Sequence, residues 1–185
     1  MDKNSSKPRI TRVSVGDIRL NVAEAGPAAG PLLILLHGFP EAGFAWEPYC
    51  PALVAAGYHV VMPDQRGYNL SDKPKDIAAY DLDRTAADVL SLADHFGQRQ
   101  FDLVGHDWGA SVAWWLAGRN PDRLRHLVAL NAPHPAIWSE AMRQDPAQRR
   151  KSWYVKLFSL QWLPEFMLRQ RRFRAQNRPQ NIVCK

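Results

Sequence analysis

The chain reads first as short apolar runs separated by turn formers. Ile10–Val15 and Ile18–Ala23 alternate apolar and polar residues around Gly16-Asp17, the pattern of an antiparallel hairpin. Leu32-Leu33-Ile34-Leu35-Leu36 is continuously apolar, as expected for a strand buried on both faces of a mostly parallel sheet. Residues 47–56 are helix-like, with Pro48 tolerable in a first turn and Gly57 as the stop. Tyr58–Met62 is a further strand. Asp83 is an N-cap candidate for a helix that runs to Phe96 and is ended by Gly97. Phe101–Val104 and Arg125–Leu130 read as strands, with Ala110–Arg119 as a helix between them. Strands alternating with helices after an initial meander predict an α/β fold, a mostly parallel sheet with helices on both faces.

After Pro133-His134-Pro135 the pattern turns helical only, with short helices expected over 137–143, 148–161 and 164–174. Residues 175–185 have little apolar content and no period. The chain therefore divides on paper into an α/β core (1–134), a helical lid (135–174) and an irregular tail (175–185).

Charge follows the same division. The chain carries a net +6, but residues 1–142 hold 13 basic and 16 acidic side chains, whereas residues 143–185 hold 11 and 2. A basic segment can meet nucleic acid or an acidic membrane. Here Trp153, Phe158, Trp162, Phe166 and Phe173 recur among the arginines at roughly helical spacing, which suits an amphipathic lid better than a polynucleotide track. No apolar run reaches the roughly 18 residues of a membrane span, and Met1–Arg9 lacks the apolar segment of a secretory signal. Cys50 and Cys184 form neither a disulfide framework nor a zinc pattern. The expectation is a cytoplasmic enzyme acting on a small molecule, with no metal, cofactor, nucleic acid or membrane.

The chemistry concentrates at Gly105-His106-Asp107-Trp108-Gly109, between a predicted strand and a predicted helix. That is the layout of a nucleophile elbow with Asp in place of the usual Ser. Side chains at the flanking glycines would collide with the neighbouring strand or helix. A carboxylate at the apex suits attack on a carbon bearing a leaving group, giving an alkyl-enzyme ester. Upstream, Leu32–Leu36 runs into His37-Gly38-Phe39-Pro40, where a backbone N–H can supply one donor of an oxyanion hole. The other donor would be the N–H of Trp108. A third block, Pro63-Asp64-Gln65-Arg66-Gly67-Tyr68, closes a strand and is rich in turn formers.

Together with Asn131-Ala132-Pro133-His134-Pro135, these blocks resemble the α/β-hydrolase superfamily, and within it the epoxide hydrolase and haloalkane dehalogenase branch. Dehalogenases typically carry Asn after His-Gly; this chain has Phe39, as His-Gly-x-Pro epoxide hydrolases do. The resemblance implies Asp107 as nucleophile, with Phe39 and Trp108 as oxyanion donors through their backbones and as pocket walls through their rings. It implies Tyr154 as a lid phenol donating to the epoxide oxygen. Gly38, Pro40, Gly105 and Gly109 become structural motif positions, as do His37 and His106, whose side chains are expected to bond loop backbone.

None of the six histidines suits the catalytic base, which in the family lies further along. The chain therefore looks like the front half of an enzyme, inactive or limited to a single turnover. Two other readings compete: a haloalkane dehalogenase-like enzyme, and a non-catalytic interaction protein. The strand 125–130 would then be an exposed edge open to self-association.

Overall fold

In the computed structural model, which describes residues 7–153 and Val155, the hairpin forms β1 (Arg9–Val15) and β2 (Ile18–Ala25). The two strands pair from Val15↔Ile18 to Arg9↔Glu24, so Gly16-Asp17 is the whole turn. Alternation then puts Val13 and Val15 of β1 and Ile18, Leu20 and Val22 of β2 inside. Four more strands follow: β3 (Leu32–Leu36), β4 (His59–Pro63), β5 (Phe101–His106) and β6 (Leu124–Leu130). The sheet order is β1-β2-β4-β3-β5-β6. The β1–β2 and β2–β4 pairs are antiparallel, and the others are parallel.

Both faces of the centre are covered, which is why β3 tolerates no polar residue. Leu32, Ile34, Leu36 and Val61 pack with α2 (Leu82–His95) and α3 (Trp108–Arg119) through Val89, Leu92, Val112 and Leu116. Leu33, Leu35, Val60 and Met62 point the other way, onto Trp46 and onto Cys50 and Leu53 of α1 (Cys50–Ala55). The predicted α/β architecture is thus the one observed. Each such side chain is worth about 1.5–3 kcal/mol when fully buried.

Several boundaries move. The helix expected over 47–56 is split into a 3₁₀ turn (Gly43–Tyr49) and α1. Pro48 falls inside the 3₁₀ turn, and it is Pro51 that occupies the first turn of α1. Proline has no N–H to give, so an α-helix through both prolines would lose a bond; restarting at Cys50 avoids that. The N-cap of α2 is Asp81 rather than Asp83: its Oδ1 accepts the Arg84 N–H at 2.7 Å. Asp83 lies in the first turn and accepts from Trp115 Nε1 at 2.9 Å, pinning α3 to α2. Finally, β5 runs on to His106, directly into the elbow.

The loop after β4 is fixed from beneath. Arg66 donates through Nε and Nη2 to both oxygens of Asp88 on α2, each at 2.6 Å, with both side chains buried. Burial pushes the Asp88 carboxyl up, and the Arg66 guanidinium works against that shift.

The chain divides into two compact units, residues 1–134 and 135–185. The second opens with α4 (Pro135–Gln144) and α5 (Pro146–Lys151). α5 begins earlier than the helix expected from 148 because Asp145 caps it, Oδ1 accepting the Ala147 N–H at 2.7 Å with Pro146 in the first turn. It ends at Lys151. Tyr154, the lid aromatics beyond it and the tail lie outside the described residues. Among the described residues no helix is long and apolar enough to cross a membrane.

Candidate active site

The elbow is built by close approach. A Cβ on Gly105 would lie 2.4 Å from the Gly109 carbonyl oxygen, and one on Gly109 would lie 2.5 Å from the Leu36 oxygen. The turn therefore closes only with glycine at both places, as the spacing predicts. Between them Asp107 adopts φ 51° and ψ −113°, a left-handed conformation that costs a non-glycine residue on the order of 1–3 kcal/mol. Its N–H is held by the Leu130 oxygen at 3.0 Å, and its carbonyl starts α3 by accepting from Ala110 and Ser111.

The loop after β3 meets this apex. Phe39 N–H donates to Asp107 Oδ1 at 3.0 Å. Gly38 makes the approach possible: a Cβ there would sit 2.6 Å from Asp107 Cβ and 3.0 Å from Oδ1. Trp108 begins α3, so its N–H is among the helix donors that lack an intrahelical acceptor. Within the described residues Phe39 and Trp108 are 43% and 56% exposed, so the apex opens to solvent beside them.

His37 holds the loop base. Its Nδ1 lies 2.9 Å from the Gly38 oxygen and its Nε2 accepts the Gln65 N–H at 3.1 Å, the loop-backbone role expected of it. Burial holds its imidazole below the usual histidine range. His106 departs from expectation. It bonds side chains, with Nδ1 3.3 Å from Glu41 Oε2 and Nε2 3.1 Å from Asn131 Nδ2. Its ring therefore lies between the loops that carry Glu41 and Asn131.

Three further residues belong to the site and were not assigned roles from sequence. Glu41 follows Pro40 and links His106 to the loop after β3. Asn131, with φ 57°, leaves β6 toward His106. Tyr68 stacks edge-on to His37, with centroids 4.8 Å apart. Burial, reinforced by the Asp107 charge, pushes its phenol up to about 12. The motif blocks containing Tyr68 and Asn131 were visible, and Glu41 directly follows a third, but which loops meet is set by the β4-β3-β5-β6 strand order, and no local pattern reports that.

The remaining histidines take other partners: His59 pairs with Glu24, His126 with Asp102, and His95 and His134 stack on Phe96 and Trp114. Among the described residues no cluster of three ligating side chains could hold a metal ion.

A family model described as the alpha/beta hydrolase fold matches residues 31–177. The chain belongs to the α/β-hydrolase family. Relatives place it in the epoxide hydrolase branch. It is 45% identical to the AB hydrolase superfamily protein YfhM of Bacillus subtilis over 158 residues, 85% of this chain and 55% of that one. It is 46% identical to Epoxide hydrolase A of Mycobacterium tuberculosis over 121 residues, 65% of this chain and 38% of that one. A solved structure from metagenomes of hot environments, described among novel epoxide hydrolases, superposes with a TM-score of 0.80 at 36% identity, covering 88% of this chain and 54% of that one. The hydrolase chain thus spans about half the length, or less, of these relatives.

Proposed function

We propose that Asp107 is the nucleophile of an epoxide-opening site. The supporting observation is the carboxylate at a strained elbow with one oxygen already on a backbone donor: Oδ1 faces the Phe39 N–H, which leaves Oδ2 to attack. Oδ2 forms a bond to a ring carbon, the carbon–oxygen bond of the epoxide breaks, and its electron pair goes to the ring oxygen. That oxygen takes a proton from a phenol, for which Tyr154 is the candidate by family resemblance, or from water. Asp107 is left as an alkyl ester. The N–H groups of Phe39 and Trp108 then face its carbonyl oxygen, where charge develops when water attacks.

The substrate class is a small epoxide, without metal or cofactor. The 185-residue chain taken by itself performs the first half-reaction and holds the ester, because the histidines described above each take another partner. Incubation with styrene oxide followed by peptide mass spectrometry tests this. One adduct on Asp107, absent in Asp107→Asn, is expected. Labelling that persists in Asp107→Asn refutes the assignment, and catalytic release of diol refutes the single-turnover part. Labelling by an alkyl chloride with halide release, but not by the epoxide, would favour the dehalogenase reading.

A further inference from the structure

His106 reaches both loops that border the elbow, and its partners dictate its chemistry. Glu41 Oε2, 3.3 Å from Nδ1, is a carboxylate oxygen that can only accept. Nδ1 therefore carries the proton. Asn131 Nδ2, 3.1 Å from Nε2, is an amide nitrogen that can only donate, so Nε2 presents its lone pair. The ring is then the neutral Nδ1–H tautomer, the one free histidine disfavours.

The same Glu41 oxygen accepts the Gly38 N–H at 3.4 Å, and the Glu41 N–H returns to the Gly38 oxygen at 3.0 Å. At the far end, Asn131 follows Leu130, whose oxygen holds the Asp107 N–H. Gly38, Glu41, His106 and Asn131 thus form a strap from the β3 exit, across the elbow, to the β6 exit. Gly38 immediately precedes the residue that donates to Asp107 Oδ1.

We propose that His106 is a positioning residue, held as the Nδ1–H tautomer between Glu41 and Asn131, and that this strap keeps the Phe39 N–H on Asp107. Its kinetic consequence rests on Asp107 being the nucleophile; its tautomer does not. Without the strap the 38–41 loop keeps its fold but loses its register against the elbow. A displacement of about 1 Å can cost up to roughly a hundredfold in rate.

The first test is long-range proton–nitrogen NMR on the ¹⁵N-histidine chain, with His106 assigned by its absence in His106→Gln. A pyrrole-like Nδ1 and a pyridine-like Nε2 are expected. The Nε2–H tautomer, or an imidazolium at neutral pH, overturns the proposal. The second test is the rate of Asp107 labelling by styrene oxide. Gln can donate through its amide to Glu41 and accept from Asn131, so His106→Gln should label nearer the wild-type rate. His106→Leu, with a matching circular dichroism spectrum, should be slower by about tenfold or more. If His106→Leu does not fold, Asn131→Ala takes its place, with a smaller slowing expected. Equal rates in wild type and the folded apolar variant overturn the positioning role. An unlabelled wild type with the expected tautomer removes the nucleophile reading and leaves the strap standing.

Discussion

Two aspartates follow the strands on either side of β3 and are treated in opposite ways. Asp64 follows β4 and is 3% exposed. Its Oδ1 accepts from the Gly43 N–H at 2.8 Å, and its Oδ2 from the Asn21 and Asn69 side-chain amides, each at 2.9 Å, and the Leu70 N–H at 3.3 Å. Asp107 follows β5, stands half-buried on a strained backbone, and takes its side-chain bond from the Phe39 N–H. Donors on both oxygens of a buried carboxylate make it a staple, because the group is fixed by its loops and shielded from any electrophile. Leaving one oxygen on a single donor, and the other without a partner among the described residues, is the arrangement that the proposed nucleophilic role needs. The difference lies in the donors the loops deliver, since the residue type is the same.

The comparison can be broken most severely at the staple. Asp64→Ala removes the acceptor of four donors in a buried setting, each of which costs about 1–3 kcal/mol when orphaned. Allowing for partial relaxation and entry of water, a loss of roughly 3–5 kcal/mol is expected, measured as the shift in a urea unfolding midpoint. A loss under about 1 kcal/mol would mean the network is ornamental.

Gly38→Ala comes next. The new Cβ would meet Asp107 Cβ at 2.6 Å, so either the loop or Asp107 must move. Overpacking of this kind costs about 1–3 kcal/mol, and the displaced Phe39 N–H should slow Asp107 labelling by roughly one to two orders of magnitude. A variant with normal labelling and normal stability would show that the close approach is dispensable.

Asp107 itself should respond with the opposite sign. Glycine relieves the left-handed strain at φ 51°, so Asp107→Gly should stabilise the fold by up to about 1–3 kcal/mol while abolishing labelling. The glycine's greater freedom in the unfolded chain takes back part of that gain. If Asp107→Gly unfolds as readily as Asp64→Ala, the two aspartates are both structural and the contrast collapses.

The legibility of these sites in sequence divides along similar lines. β3 was readable because five consecutive apolar residues admit a strand covered on both faces, and the elbow because two glycines two residues either side of a polar apex have a steric cause. The hairpin was readable from the alternation nearest its turn, Val13-Ser14-Val15 and Ile18-Arg19-Leu20-Asn21-Val22. What failed locally was punctuation: two prolines competed for the first turn near residue 50, and two aspartates competed for the cap of α2. What was missed altogether was tertiary. Asp64, with its donors Asn21 and Gly43 far along the chain, looks in sequence like any turn aspartate. Glu41 and Asn131 lie 65 and 25 residues from His106, so their joint role depends on β3, β5 and β6 lying side by side.

The smallest expected effect concerns Tyr68, the neighbour that feels the charge of Asp107, the less buried of the pair. Tyr68 has its phenol raised from about 10 to about 12, first by burial and then by the Asp107 charge. In the unfolded chain the phenol ionises near pH 10. Between pH 10 and 12 the folded state therefore binds more protons, and stability falls as pH rises through that window. Two units correspond to nearly 3 kcal/mol at full burial, and partial solvent access reduces this to about 1–2 kcal/mol. Tyr68→Phe should accordingly flatten the stability profile between pH 10 and 12 while leaving it unchanged near pH 7 apart from the small loss of one polar group. Alkylation of Asp107 deletes the second cause, so the labelled chain should show Tyr68 tyrosinate absorbance at lower pH than the unlabelled chain. Identical alkaline titrations before and after labelling would place the Asp107 charge out of reach of the phenol. The local field that distinguishes this carboxylate from Asp64 would then have to come from the loop donors alone.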